Sequence, residues 1–349
     1  MAILACKLVS ILVPARNEEG RIHKCLRALA SQRYERLEII ILDDRSTDRT
    51  AEIIQSFVDS DPRMRMIVGT ELPNGWVGKN WACDQLFNQA AGDLLLFMDA
   101  DTILAEGTVS ASTFEATMWG IDLLTVMLSR VSGCTIEKFL FPFVDWALFC
   151  WMPLGIAHSR RTPYFSATFG QFMLFKREAY ELIGGHAKIR NNPLDDFQLG
   201  RVAKSLGLRW ALFEGRDCVE TLAYKSNTDA FKSISRSVFP ALDYRLSMFA
   251  VLSVILVTLG FLPLITLVKL SMFGTQLSVV EYTSLVSLGL LFISWFIVCL
   301  KFKHSVLAAL LFPVAIALLL FIGVHSFATY ILQTTKWKDR GIGERRIRF

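Results

Sequence analysis

"LLLFMDADT", residues 94–102, decides how this chain folds. Consecutive large apolar residues from Leu94 to Met98, bounded by polar stretches, read as a strand buried on both faces, the kind found inside a parallel sheet. The run ends in two carboxylates, Asp99 and Asp101, one residue apart. In open α/β sheets, ligands bind beyond the carboxyl ends of the strands, so an acid pair placed there meets ligand and water. Hard cations such as Mg2+ and Mn2+ take oxygen ligands and accept substrate phosphates as the remainder. Asp99 and Asp101 are therefore candidate metal ligands. Asp-x-Asp alone is a common solvated turn, and its meaning depends on its neighbours.

Those neighbours repeat the pattern. "LVSILVPA" (8–15), "LEIIILDD" (37–44) and "RMRMIVG" (63–69) read as strands. "RIHKCLRALASQ" (21–32), with Ile22, Leu26 and Leu29 on one face, reads as a helix, as do "STDRTAEIIQSFV" (46–58) and "KNWACDQLFNQA" (79–90). Ser46, Thr47 and Asp48 are candidate caps for the second. Strands alternating with helices predict an α/β domain with a mostly parallel sheet. "PARNEE" (14–19), "DDRSTD" (43–48) and "DAD" (99–101) each follow a strand and so share one edge of that sheet. Asp44 can accept hydrogen bonds from a base or ribose. "GWVGKN" (75–80) sets two glycines and Lys79 ahead of a helix N-terminus, where N–H groups and an ammonium suit a diphosphate.

Composition adds a second theme. The 349 residues are 53% hydrophobic, with a mean hydropathy of +0.41, too apolar for a purely soluble enzyme. Residues 1–245 alternate apolar and charged runs, and from Leu246 the chain is almost uncharged until Lys301. Segments 246–268, 284–300 and 306–332 approach or exceed the roughly 20 apolar residues that cross a bilayer. The N-terminal stretch lacks the features of a secretory signal, so the first domain is expected in the cytoplasm. The seven cysteines have no metal-ligand spacing and read as scattered thiols in a reducing compartment. The net charge is +5, and the basic residues gather beside the spans (Lys225, Lys232, Arg236, Arg245, Lys301, Lys303) and in the tail. That distribution suits a membrane surface and argues against a nucleic-acid partner.

"SILVPARNEE" (10–19), "IIILDDRSTDRT" (39–50), "LLLFMDADT" and "LDDFQLGRVAK" (194–204) resemble successive motifs of family 2 glycosyltransferases, over roughly residues 8–215. "GWVGKNWA" (75–82), "GQFMLFKREAYELIGGH" (170–186), the C-terminal spans and a final "WKDR" (337–340) resemble the membrane-bound branch that glycosylates lipids, such as ceramide glucosyltransferases and hopanoid- and carotenoid-associated enzymes. The resemblance implies the Rossmann-like GT-A nucleotide-sugar fold, a UDP-sugar or similar donor, and inversion at the anomeric carbon. It also implies that Pro14, Arg16, Asn17, Glu18 and Asp44 surround the nucleotide, with Asp99 on the donor, where the reading of "GWVGKN" already puts Lys79. Asp99 and Asp101 would hold Mg2+ or Mn2+. Asp196 matches the general base of a Glu-Asp-x-x-Leu motif, with Asp195 in place of the usual glutamate.

The chemistry is consistent with these residue types. A departing nucleoside diphosphate needs its negative charge stabilised, which a cation and Lys79 supply. An attacking hydroxyl needs a base. Asp196 opens a helix with Leu199, Val202, Ala203 and Leu206 on one stripe, and a helix N-terminus favours an ionised carboxylate; the plainer alternative is that Asp195 and Asp196 only cap it. Where polysaccharide-synthesising relatives carry Gln-x-x-Arg-Trp, this chain has Arg236 followed by Ser237, which argues against a processive synthase. Arg236 and Trp76 remain candidates for the acceptor or diphosphate side.

The expected organisation is a cytoplasmic GT-A domain (1–245), a membrane domain (246–332) and a basic tail (333–349) in a multi-pass protein of the plasma or inner membrane. Segment 137–159, rich in Phe and Trp but broken by Pro142 and Pro153, is too short to span and suits an interfacial helix beside a lipid acceptor. Segment 227–245 suits a juxtamembrane helix. If 306–332 crosses fully, the tail lands outside with six Lys/Arg, against the positive-inside rule. Pro313 offers a place for that segment to fold back or lie in the interface, and a cytoplasmic tail is expected. The leading reading is sugar transfer from a nucleotide donor to a lipid hydroxyl. The alternatives are transfer to polyprenyl phosphate or polysaccharide, and an inactive membrane scaffold, against which the intact acids count. No motif sets an oligomeric state.

Overall fold

A computed structural model describes residues 7–152, 154–159, 162–163, 165–274, 278–337 and 340–341. Two compact units emerge. The first contains the chain up to Val131, Leu154–Leu222 and the stretch that starts at Lys336; the second contains Ser132–Pro153 and Ala223–Thr335. The division differs from the boundary at 245 expected from hydropathy, because segments at 132–153 and 223–245 pack with the apolar C-terminal helices.

The first unit begins with the expected alternation: β1 (Val9–Ala15), α1 (Ile22–Ala30), β2 (Leu37–Asp43), α2 (Thr50–Val58), β3 (Met64–Val68), α3 (Gly78–Gln89) and β4 (Leu94–Phe97). Then come β5 (Thr102–Leu104), α4 (Thr108–Met118), β6 (Leu123–Met127) and β7 (Ser129–Arg130). After α5 (Thr135–Trp151), which belongs to the second unit, follow α6 (Leu154–Ser159), β8 (Met173–Lys176), α7 (Arg177–Ile183), α8 (Gly185–Lys188), α9 (Asp195–Ser205), β9 (Trp210–Glu214) and β10 (Val219–Thr221). Seven strands form one sheet in the order β3-β2-β1-β4-β8-β6-β9. Only β8 runs against the others, so the sheet is mostly parallel. Leu94 to Phe97 are all buried, as a strand covered on both faces requires. Because β8 is reversed, its leading residues join the carboxyl ends of β1, β2 and β4 at the same edge.

The second unit is helical: α5, α10 (Asn227–Ala241), α11 (Leu246–Phe273), α12 (Val279–Lys301), α13 (Val306–Leu310) and α14 (Phe312–Ile331). The helices α11, α12 and α14 are long and apolar enough to cross a membrane. Their bounds depart from the hydropathy segments for identifiable reasons. α12 starts at Val279 rather than 284 because Ser278 and Glu281 form a capping box, each side chain meeting the other's backbone N–H. α11 continues past 268, and its Lys269 pairs with Glu281 at 2.6 Å. The segment 306–332 is broken at Leu311 (φ −98°, ψ 24°), and Pro313, which has no N–H to donate, lies in the first turn of α14. The segment 137–159 is likewise two helices, α5 and α6, which fall in different units. Pro142 lies inside α5 without ending it. The start of α5 is held by the buried Glu137, whose carboxylate accepts N–H bonds from Gly133, Cys134 and Tyr224 at 2.7–2.8 Å. Most of the basic tail, including part of the "WKDR" stretch, lies outside the described residues.

Candidate active site

The loops after β1 and β2 are buckled together at the carboxyl edge. Asn17 sits in the left-handed region (φ 53°), which asparagine tolerates. Its backbone N–H donates to Ser46 Oγ at 3.0 Å and its Oδ1 accepts from the Thr47 N–H at 2.8 Å. The Glu18 N–H donates to Thr50 Oγ1 at 2.7 Å. Arg16 donates to the Asp44 carbonyl at 2.5 Å and the Arg45 carbonyl at 3.2 Å. Pro14, one residue from the end of β1, pairs in register with Leu42. Of the expected nucleotide-side residues, Arg16 and Asn17 thus hold the loop shape, while the Asp44 side chain is buried directly beyond β2.

Beyond β4 the acids gather around one ammonium. Lys79 Nζ lies 2.8 Å from Asp99 Oδ1 and 3.1 Å from Asp195 Oδ2. Lys79 is the second residue of α3 rather than a group ahead of it, and is carried to the acids by the first helical turn. α9 begins at Asp195, so Asp195 and Asp196 occupy its first turn. Neither caps the helix, whose cap position is Leu194. Asp196 Oδ2 instead accepts the Gly170 N–H at 3.0 Å, and Oδ1 accepts its own neighbour's N–H, from Phe197, at 2.7 Å. Gly170 leads into β8 and lies between the two functional groups: a Cβ there would sit 3.1 Å from Lys79 Nζ and 3.4 Å from Asp196 Oδ2. Asp101 Oδ2 is 3.5 Å from the Arg21 guanidinium.

The electrostatics of the cluster are uneven. Burial works against the charge on Lys79, but Asp195 and Asp99 more than offset it and keep the lysine charged to well above its usual range. Burial also works against Asp195, yet Lys79 and His186 hold its carboxyl well below the usual carboxylate range. Asp196 has the opposite fate: burial and the ionised Asp195 beside it push it up to about 7. Asp101 is likewise pushed up to about 7, by burial and by the charges of Asp99 and Glu18. The two adjacent carboxyls are thus driven apart, Asp195 down and Asp196 up.

Trp76 packs edge-on against Trp81, with ring centroids 5.0 Å apart. Arg236 belongs to α10 of the second unit, where it donates to Ser233 Oγ at 2.9 Å and its carbonyl accepts from Tyr330 at the same distance. Sequence reading missed Gly170, Arg21, Tyr180, His186 and Asn80. Asn80 alone had a usable signal, its place beside Lys79: its amide donates to the carbonyls of Ile189, Arg190 and Asn192 at 2.9–3.3 Å and so anchors the segment that leads into α9.

Residues 10–111 match the family model described as glycosyl transferase family 2. Among curated relatives it is 28% identical over 239 residues to a 4,4'-diaponeurosporenoate glycosyltransferase of Staphylococcus aureus (65% of this chain, 59% of the relative). It is 26% identical over 235 residues to the protein of that name in Staphylococcus haemolyticus (62% of this chain, 57% of the relative). The match thus spans less than two thirds of either relative. Among solved structures it is similar to a mannosyltransferase of Pyrobaculum calidifontis in complex with GDP-Man and Mn2+, with a TM-score of 0.51, 16% identity, and coverage of 90% of this chain and 87% of that one. That likeness concerns the fold, which is of the GT-A type expected from the sequence motifs.

Proposed function

We propose that the protein is a membrane-bound inverting glycosyltransferase that moves a sugar from a nucleoside diphosphate donor to the hydroxyl of a lipid acceptor at the cytoplasmic face. The observation that carries this reading is the Lys79 ammonium, 2.8 Å from Asp99 and 3.1 Å from Asp195, with Asp196 next along α9. The lysine is placed to take the charge of a leaving diphosphate, and Asp196 to take the acceptor's proton. The named activity of the curated relatives and the three apolar helices support a greasy acceptor.

Asp99 and Asp101 would hold a divalent cation, Mg2+ or Mn2+. The donor set fits, because both are hard carboxylates, and Asp101 is pushed up by burial and by neighbouring negative charge, the second of which a dication relieves. Among the described residues no group of three His, Cys, Asp or Glu side chains could hold a metal ion, so the donor's phosphates would complete its ligands. When bound, the cation neutralises charge on the departing diphosphate.

A second reading has one observation behind it: the relatives are named for a diaponeurosporenoate, and an "-oate" acceptor is a carboxylate. Such an acceptor arrives deprotonated and needs no base. Membranes holding the full chain, given labelled UDP- or GDP-sugars, are expected to move label into the organic phase with Mg2+ or Mn2+ and not with EDTA. Label confined to water-soluble or polymeric product overturns the lipid assignment. Retained transfer by Asp196→Asn selects the carboxylate acceptor.

A further inference from the structure

Behind Asp195 stand two buried groups that the reaction as described leaves unused, Tyr180 in α7 and His186 in α8. The Tyr180 oxygen accepts the His186 backbone N–H at 3.0 Å and lies 2.6 Å from His186 Nδ1. With the backbone donor on its oxygen, the phenol gives its own proton to Nδ1, and the imidazole proton sits on Nε2. The other tautomer would aim a lone pair at a carboxylate. Nε2 faces Asp195 Oδ2 at 3.6 Å; Nε2 is buried without a hydrogen-bond partner, and the buried Oδ2 has only the Lys79 ammonium beside it, at 3.1 Å. Packing fixes the ring: Phe97 lies against it at 4.9 Å between centroids. Gly184 and Gly185 turn the chain through φ +83° and +54°, bringing Gly185 so close to the Tyr180 ring that a Cβ would sit 2.7 Å from Cε1.

We propose that Tyr180 and His186 are positioning residues for Asp195, and through it for Lys79. In the free protein Lys79 is shared between Asp99 and Asp195. A diphosphate that draws the ammonium forward weakens its hold on Asp195, whose Oδ2 then closes the short gap onto the Nε2–H. Asp195 exchanges one donor for another, stays ionised, and keeps its field on Asp196. No proton changes hands at His186. The catalytic consequence rests on the transfer reading above; the tautomer and the pairing do not.

The test uses the full chain in detergent, labelled with 15N-histidine. The resonance missing from His186→Phe is expected to report a neutral ring protonated on Nε2 across pH about 6 to 8. A proton on Nδ1, or an imidazolium in that range, overturns the proposal. In kinetics, His186→Phe keeps the ring and is expected to lower kcat about tenfold with donor KM within about threefold, a loss of about 1.4 kcal/mol. His186→Gln, whose amide N–H replaces Nε2–H, is expected to recover at least about half the rate, and Tyr180→Phe to fall between. Equal losses in the Phe and Gln variants would mean packing alone and overturn the idea. Wild-type protein that releases no nucleoside diphosphate sinks the transfer reading, while the tautomer still decides the pairing.

Discussion

An acceptor hydroxyl surrenders its proton only to a group already ionised when the acceptor arrives. Asp196, raised to about 7, is protonated below that pH and ionised above it. The sign follows: kcat/KM should rise about tenfold per pH unit below 7 and level off above it, and the limb should vanish in Asp196→Asn with a fall in kcat of roughly 10²–10⁴. A pH–rate profile of both proteins checks this. At Gly170 the absent side chain leaves room beside the Lys79 ammonium and the Asp196 carboxyl. Gly170→Ala puts a methyl 3.1 Å from an ammonium pinned between two carboxylates. The expected result is a kcat about tenfold lower, near 1.4 kcal/mol, with an unchanged melting temperature. Gly185→Ala differs in kind: it demands both a left-handed backbone and room where the Tyr180 ring lies 2.7 Å away. It should cost about 2–4 kcal/mol of stability, read by thermal unfolding. Asp99, Asp101, Lys79 and Asp196 were legible in the sequence because charge after a buried strand or at a helix start is conspicuous in one dimension. Gly170 and His186 were not, because each matters through a partner that comes near only when β8, α8 and α9 fold together.

Between residue and molecule stands the question of what aims α9. Its first turn carries Asp195 and Asp196, and the segment before it is anchored by Asn80 across three carbonyls and by the Val77 N–H on the Arg190 carbonyl at 2.7 Å. Asn80→Ala leaves those carbonyls short of a buried donor and should cost about 1–3 kcal/mol. If the segment aims α9, the same variant lowers kcat more than donor KM, which steady-state kinetics would reveal. The stripe along α9 was only partly readable. Leu199 and Ala203 are buried as expected, but Leu206 is 48% exposed and Lys204 is buried in its stead. A lysine enters the interior because its ammonium finds the carbonyls of Ala157 and Phe165, at 2.5 and 2.7 Å, and the face of Trp210. Such tertiary partners have no period in sequence. Strands β1 to β4, built by unbroken apolar runs, were readable for the opposite reason.

At the scale of the molecule the open matter is how often the chain crosses the bilayer. The catalytic domain and the stretch from Lys336 fall in one compact unit. If that stretch stays on the catalytic domain's side of the bilayer, the chain between Leu222 and Lys336 crosses an even number of times and one of the three candidate helices does not span. α11 and α12 pack against each other and are joined across a short loop by the Lys269–Glu281 pair, as a transmembrane hairpin would be. α14 is different. It carries Pro313 in its first turn, and three of its side chains bond to α10, which is too short and too polar to span: His325 to Ser235 at 2.8 Å, Ser326 to the Phe239 N–H at 3.1 Å, and Tyr330 to the Arg236 carbonyl at 2.9 Å. Of the three, α14 is therefore the helix expected to lie in the interface or to re-enter from it, with α10 as its partner. On that expectation the six Lys/Arg of the tail would satisfy the positive-inside rule. An epitope tag after Phe349 is expected to be accessible only where the catalytic domain is, and single cysteines in the α11–α12 loop only from the opposite face. A tag reached from that opposite face would show three full crossings and separate the tail from the catalytic domain.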